Sequence, residues 1–374
     1  MMSGTLEDLM KKVRDADTLN IVSIGNRMRI AKFWRNIDNN VAECYTCERR
    51  CRIDYGRKGI CGNYVNVNGK LYNIGYGKIS ALESRPIEIK PLFHYWPNST
   101  SLTFSFWGCN FYCPWCQNHH ISFRHPKEDD EYLSPHSIIA LAIENSDEGL
   151  CASFNEPTVS IEYVLDLAEL ARDYGLYFSI VTNGYQTIRV IEEALEAGID
   201  GWSIDIKGCP KMKKALVNID HWIIYRNAKY IIDRGGHVEI VYLVVTNTND
   251  LDECIEWIID THLSTVGPKT PLHINRYYPA YKWYEPPTSL DKLISIALRA
   301  KREGIEFVYL GNTEDPTFET TYCPKCGKKL VYRWMYRVKE FNMYRDGNVY
   351  RCPRCNYEIP IKGKYISWKK SLIL

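Results

Sequence analysis

Six short apolar runs recur between Leu102 and Asn275, each bounded by turn residues: Leu102–Trp107, Leu150–Phe154, Tyr177–Val181, Trp202–Ile206, Val238–Val245 and Leu272–Asn275. Runs of this length, rich in β-branched and aromatic residues, predict buried strands. Between and after them apolar residues return at helical spacing over 135–145, 159–174, 187–197, 221–234, 251–263 and 289–302, which predicts helices with one apolar face. Strand and helix alternating six times predicts an α/β fold of βα units on a parallel sheet, every crossover right-handed. Periodicity alone leaves an open doubly wound sheet and a partial barrel equally available. In both, the residues just after each strand share one rim, where ligands bind. That rim comprises Gly108–Cys116, Asn155–Pro157, Thr182–Gly184, Lys207–Cys209, Thr246–Asp250 and Arg276–Pro279.

The flanks have a different texture. Residues 1–40 read as a helical or irregular lead-in, with Leu6, Leu9, Met10 and Val13 at helical spacing. Residues 41–97 are rich in Gly and Cys, with a hairpin expected across Asn68-Gly69 between Tyr64–Val67 and Lys70–Ile74. This segment has too little apolar material to fold on its own core. The alternating core occupies 98–316 and a distinct tail 317–374. No run approaches 18 apolar residues, and Met1–Lys12 carries Glu7 and Asp8 instead of a basic stretch followed by an apolar one. A membrane partner and secretion are therefore disfavoured, and a cytoplasmic location is expected.

Charge changes the picture only at the tail. Lys and Arg number 47 against 45 acids, but residues 317–374 hold 13 basic and four acidic residues, +9, leaving −7 on the first 316. Eleven aromatic residues are interleaved with those bases, Trp334 and Trp368 among them. Interleaved bases and rings suit single-stranded RNA or DNA; a basic module that docks on the acidic barrel or on a partner protein is the equal alternative.

Cysteine carries the chemistry. Eleven of the 14 fall into three groups: Cys44/Cys47/Cys51/Cys61, Cys109/Cys113/Cys116 and Cys323/Cys326/Cys352/Cys355. Close spacings in a chain without an export signal read as metal ligands before disulfides. Cys109, Cys113 and Cys116 follow the first strand in a C-x3-C-x2-C loop, and three thiolates there match three corners of a cubane iron–sulfur cluster. The fourth iron would be open to a small molecule, which argues for catalysis. A Zn site completed by His119 or His120, or three structural cysteines, are the alternatives. Cys323-Pro-Lys-Cys326 and Cys352-Pro-Arg-Cys355 form two knuckles that predict a four-thiolate zinc ribbon, with a rubredoxin-like iron site as runner-up. The amino-terminal four suit Zn or an auxiliary iron–sulfur cluster. Cys209 lies past the fourth strand as a candidate hydrogen donor, while Cys151 and Cys254 read as small buried residues.

The C-x3-C-x2-C spacing with Trp115 before the third cysteine resembles the signature of the radical S-adenosylmethionine (SAM) superfamily. The resemblance implies a partial (β/α)6 barrel, a [4Fe–4S] cluster on Cys109, Cys113 and Cys116, and bound SAM. It also implies a deoxyadenosyl radical that abstracts hydrogen, and a one-electron donor such as ferredoxin or flavodoxin. Trp115 would contact adenine. Phe154-Asn155-Glu156-Pro157 stands where the superfamily often has Gly-Gly-Glu-Pro, so Asn155 and Glu156 would receive the SAM ammonium. Thr182-Asn183-Gly184 and Asp205-Ile206-Lys207 resemble strand ends of pyruvate formate-lyase-activating enzymes. They imply Thr182, Asn183, Asp205 and Lys207 near the ribose and carboxylate; Val181 replaces the acid an accessory cation would need. The stretches Cys44–Gly77, Pro86–His94, His273–Pro279 and Val308–Asn312 are most similar to AmmeMemoRadiSam-system radical SAM enzymes, which fixes chemistry and not substrate. His94 and His273 are candidates to face the radical chamber, and Arg276 to grip an anionic group. The substrate is unknown, with a protein or small molecule favoured over RNA. The competing class is an RNA- or protein-binding zinc-ribbon protein whose cluster is a scaffold or sensor.

Overall fold

The computed structural model describes residues 28–38, 40–212, 217–313 and 315–367. The lead-in helix expected near Leu6–Val13, and Trp368, lie outside the described residues. Within the described part of the lead-in, Trp34–Asp38 is a strand paired antiparallel with Val41–Cys44, which pairs in turn with Arg52–Ile53. The predicted hairpin is present as Tyr64–Val67 against Lys70–Asn73. Asn68 and Gly69 take φ +51° and +74°, the left-handed pair that a type I′ turn requires.

Eight strands form the central sheet: β1 Ile79–Pro86, β2 Thr100–Phe106, β3 Gly149–Ala152, β4 Tyr177–Thr182, β5 Ile199–Ile206, β6 His237–Val244, β7 Leu272–Arg276 and β8 Val308–Gly311. They lie side by side in chain order, β2 to β8 all parallel and β1 antiparallel to β2. Strand order without reversal answers what periodicity left open. Right-handed crossovers that always step the same way keep every helix on one face, so the sheet curls into a partial barrel. The six expected strands are all present, and β8 and β1 are additions. β8 is only four residues long, and β1 (ISALESRP) is polar along much of its length and only partly buried.

Six helices of ten or more residues are present among the described residues: α1 Pro135–Glu144, α2 Ile161–Asp173, α3 Ile188–Ala197, α4 Trp222–Asp233, α5 Asp252–Thr265 and α6 Leu290–Glu303. Ser134 and Ser289 start α1 and α6, each hydroxyl accepting the amide three residues on, at 3.1 and 3.2 Å, which satisfies an otherwise orphaned donor. Leu102, Phe104, Ile180, Trp202, Ile204, Ile240, Leu272, Ile274 and Leu310 join the helices' apolar faces in one core. Their strand neighbours Thr103, Ser203, Asp205, His273 and Asn275 line the interior instead. The period-two alternation therefore separates an apolar outer face from a polar inner one.

Cys209 and Cys254 correct the sequence reading. They are bonded to each other, tying the segment after β5 to the first turn of α5, and Cys209 is fully buried. Cys151 is a buried free cysteine, as expected.

Residues 317–367 fold as two three-stranded antiparallel sheets that dock on the barrel. Leu330, Val331, Tyr350, Ile359 and Ile361 share a core with Phe93, Phe307 and Tyr309. Arg333 is wholly buried there: its guanidinium donates to Glu319 O, Thr321 Oγ1 and Phe93 O at 2.7–2.9 Å and lies 4.3 Å from the Phe93 ring centre. Beside it, buried Glu239 accepts from the His94 amide, His237 and His273. Burial would raise this carboxyl, but the two imidazole bonds outweigh burial and hold it well below the usual carboxylate range. His94 is spent on Tyr309 at 2.6 Å, with no exposure.

Two outcomes follow from this seal. Arg333→Met should weaken docking by about 2–4 kcal/mol and open the chain beyond Glu319 to limited proteolysis under native conditions, read by fragment mass. Glu88, 2% exposed, accepts from the Asn98 amide, and its second oxygen has no hydrogen-bond partner. Burial raises it to about 7, against the pull of Arg333. A carboxyl raised on folding keeps a proton that the unfolded chain has lost, so stability falls as pH climbs from about 4.5 towards 7. Glu88→Gln should remove that fall, gaining on the wild type by up to roughly 3 kcal/mol between pH 5 and 8 in denaturant titrations; a pH-independent difference would contradict it.

Candidate active site

The loop leaving β2 sets the site. Gly108 takes φ +93°, and a Cβ there would lie 2.4 Å from Cys61 O and 2.6 Å from Asn63 Nδ2. Only glycine permits both that backbone and that approach. Cys109, Cys113 and Cys116 then wrap one end of a cavity of about 510 Å³, a size typical of small-molecule sites. The Phe111 amide donates to Cys109 Sγ at 3.4 Å, and the Cys116 amide closes a turn on Cys113 O. Burial, then Glu156, raises the Cys109 thiol; burial raises Cys113 to about 11 although Lys207 draws it down.

These three sulfurs are not drawn within the 4.8 Å that one ion would require, unlike the four of the tail. Neither His119 nor His120 joins them in such a group; His119 bonds Cys116 O and stacks on Tyr281. The donor set suits three corners of a cubane better than one zinc ion.

The other predicted residues converge from successive strand ends. Asn155 and Glu156 follow β3. The Asn155 side chain is a clamp: Nδ2 donates to Phe106 O and Gly108 O at 2.6 and 2.8 Å, and Oδ1 accepts the Phe106 amide at 3.4 Å. Glu156 is buried and accepts from the Thr158 amide and hydroxyl, the Thr182 hydroxyl and the Asn183 amide. Burial raises its carboxyl, and those bonds offset part of the rise. Thr182 also receives Gln186, and Asn183 Nδ2 donates to Asn110 Oδ1 at 2.7 Å. Past β5, Lys207 pairs with Asp205 at 2.7 Å; burial lowers Lys207, but Asp205 and Cys113 outweigh it and hold it above an ordinary lysine. Trp115 lines the cavity edge-on to Trp283.

His273 lines the cavity with its ring bonded to Glu239 at 2.7 Å and stacked on Tyr309. Arg276 also lines it, holding Thr288 O and Tyr278. The chamber reading fails for His94 and Cys209, which do not line the cavity: His94 is turned to Tyr309 and Phe307, and Cys209 is bonded to Cys254. Thr246–Asp250 is absent from the lining too, folded into a turn held by Asn249 on Val245.

Sequence reasoning missed the far wall. Arg85, Glu88 and Lys90 near β1, Gly311 and Asn312 at β8, and Glu319 and Tyr336 of the tail flank the gap between the two sheet edges. Burial lowers Lys90 to about 8. The family likeness of Pro86–His94 and Val308–Asn312 was the available signal for Glu88, Lys90, Gly311 and Asn312. The tail cysteines do gather, with Sγ contacts of 3.5 and 3.6 Å for Cys323–Cys355 and Cys326–Cys352, close to the roughly 3.8 Å edge of a zinc–thiolate tetrahedron.

Among the described residues no helix is long and apolar enough to cross a membrane. The family model described as "Radical SAM superfamily" matches residues 105–260. The uncharacterized protein MJ0808 of Methanocaldococcus jannaschii is 36% identical over 338 residues, 89% of this chain and 99% of that protein. A radical SAM methyltransferase from Sphaerobacter thermophilus aligns at TM-score 0.45 with 13% identity, over 57% of this chain and 66% of that one. A domain of pyruvate-formate lyase-activating enzyme from Bacteroides vulgatus aligns at 0.38 with 15% identity, over 44% and 99%. With its partial barrel and its three-cysteine loop facing a ligand-sized cavity, the chain belongs to the radical SAM superfamily and is an enzyme of that class.

Proposed function

We propose that this enzyme takes a hydrogen atom from a substrate admitted through the gap between β8 and β1, with residues 98–316 as the catalytic core. When bound, a [4Fe–4S] cluster with one open iron and SAM supply reductive cleavage and a deoxyadenosyl radical. The observation that carries the reading is one cavity lined by Cys109, Cys113 and Cys116 together with Glu156 and the Asp205–Lys207 pair. The three thiolates would hold the cluster, and Trp115 would cover the adenine. The Glu156 carboxylate keeps Thr182 and Asn183 in register beside the ammonium, and Lys207 offers a fixed positive charge for the carboxylate. Arg276, at the mouth, would take an anionic substrate group. His273 is a positioning residue, held by Glu239 against the inner wall. Similarity in the cysteine segments supports an AmmeMemoRadiSam-like subfamily.

A protein or small molecule fits the substrate better than RNA. The first 316 residues carry −7, and the tail spends Arg333 and Tyr357 on docking rather than on a free face. The tail's thiol geometry supports zinc. A ferredoxin- or flavodoxin-type protein would supply electrons.

Replacing Cys109, Cys113 and Cys116 with Ala is expected to abolish 5′-deoxyadenosine formation from SAM and dithionite under anaerobic conditions; cleavage at the wild-type rate would refute the assignment. Changing Cys326 and Cys355 to Ser should remove about one zinc per chain, measured by elemental analysis, and leave the iron content of the catalytic loop unchanged.

A further inference from the structure

We propose that Cys44, Cys47, Cys51 and Cys61 hold a second iron–sulfur cluster, coordinated wholly by thiolates and set directly against the catalytic loop. The proposal goes beyond the function above and needs it only for the identity of the neighbouring cluster.

Four observations carry it. First, the four thiols, separated by up to 17 positions in the chain, line one small pocket with Thr46, Tyr64, Asn110 and Thr158. No carboxylate or imidazole lines it, so the donor set is entirely soft. Second, the four sulfurs are not gathered as tightly as those of the tail. Among the described residues only the tail cysteines bring their sulfurs within 4.8 Å of one another. One zinc holds its four thiolates about 3.8 Å apart, whereas a cubane, with iron at four corners, holds them further apart. The amino-terminal four, like Cys109, Cys113 and Cys116, are not drawn together as the tail four are.

Third, the cavity has an unspent donor. Asn110 is 2% exposed, and its Nδ2 makes no ordinary hydrogen bond; it faces the Cys47 sulfur. Backbone amides face the sulfurs as well, from Arg49 towards Cys47 and from Asn63 and Tyr64 towards Cys61. Donors aimed at sulfur stabilise and tune such clusters.

Fourth, the two cysteine sets share a wall. Asn110 adjoins Cys109, whose thiol approaches Asn110 Oδ1 at 3.8 Å. Arg49 Nε donates to Asn110 O at 3.0 Å, Asn63 Nδ2 donates to Trp107 O at 2.7 Å, and the missing side chain of Gly108 admits Cys61 O. Thr158, on the same wall, is bonded to Glu156. These ties hold the two cysteine sets on either side of one wall.

The test is a metal count on the full chain, reconstituted anaerobically with iron and sulfide. The expected content is about eight iron and one zinc per chain. The Cys109, Cys113 and Cys116→Ala variant should keep about four iron and a paramagnetic signal on dithionite reduction that added SAM leaves unchanged. Cys47→Ser with Cys51→Ser should lose about four iron; because that variant risks misfolding, the wild-type count and the triple variant decide. Wild-type protein with about four iron and two zinc, or with four iron and the amino-terminal thiols free to alkylate, overturns the proposal, as does a triple variant without iron. Loss of SAM cleavage in the triple variant bears on the catalytic loop alone, so the two readings fail separately.

Discussion

The site depends on how the loop leaving β2 is held. Three thiols from one short loop face one cavity only if the loop's first residues are fixed, and the Asn155 side chain fixes them from the end of β3, bonding Phe106 and Gly108. A glycine there would leave buried backbone groups to find other partners, at a cost of about 1–3 kcal/mol for each left unpaired. The next residue, Glu156, does the same for the end of β4 through Thr182 and Asn183. Two adjacent side chains thus align three strand ends, and any ligand on the rim depends on that alignment.

Parallel sheets are usually apolar on both faces. Here the inner face is lined by Thr103, Ser203, Asp205, His273 and Asn275, and its polar groups must find partners or ligands. At Glu239 they find each other, in a buried network that runs through His273, His237 and the His94 amide and is roofed by Arg333 from the tail. The tail is therefore part of the chamber. Glu319 and Tyr336 line the cavity, and the basic excess that suggested a nucleic-acid module is partly used to close the barrel.

The elements with clear periods were legible: every expected strand and helix of the core is present, because each carries its own alternation. The rim positions followed from topology, and the cysteine groups from spacing. What escaped has physical reasons. β8 is too short to show a period, and β1 is half-polar because one edge faces the gap. The Cys209–Cys254 bond joins residues 45 apart, and no local spacing announces such a pair. Arg333 reads as one more base in a basic strand until its surroundings are known. Asn155 was visible as a departure from glycine, but its clamp depends on where β2 ends.

The central claim is that the open corner of a cluster on Cys109, Cys113 and Cys116 takes the amino acid end of SAM inside this cavity. Electron–nuclear double resonance on the reduced, full-length protein with SAM labelled at the amino nitrogen and carboxylate oxygen tests it directly. The account predicts hyperfine coupling from both labels to the cluster, lost in the Cys109, Cys113 and Cys116→Ala variant. A reduced cluster whose spectrum is unchanged by saturating SAM would contradict it.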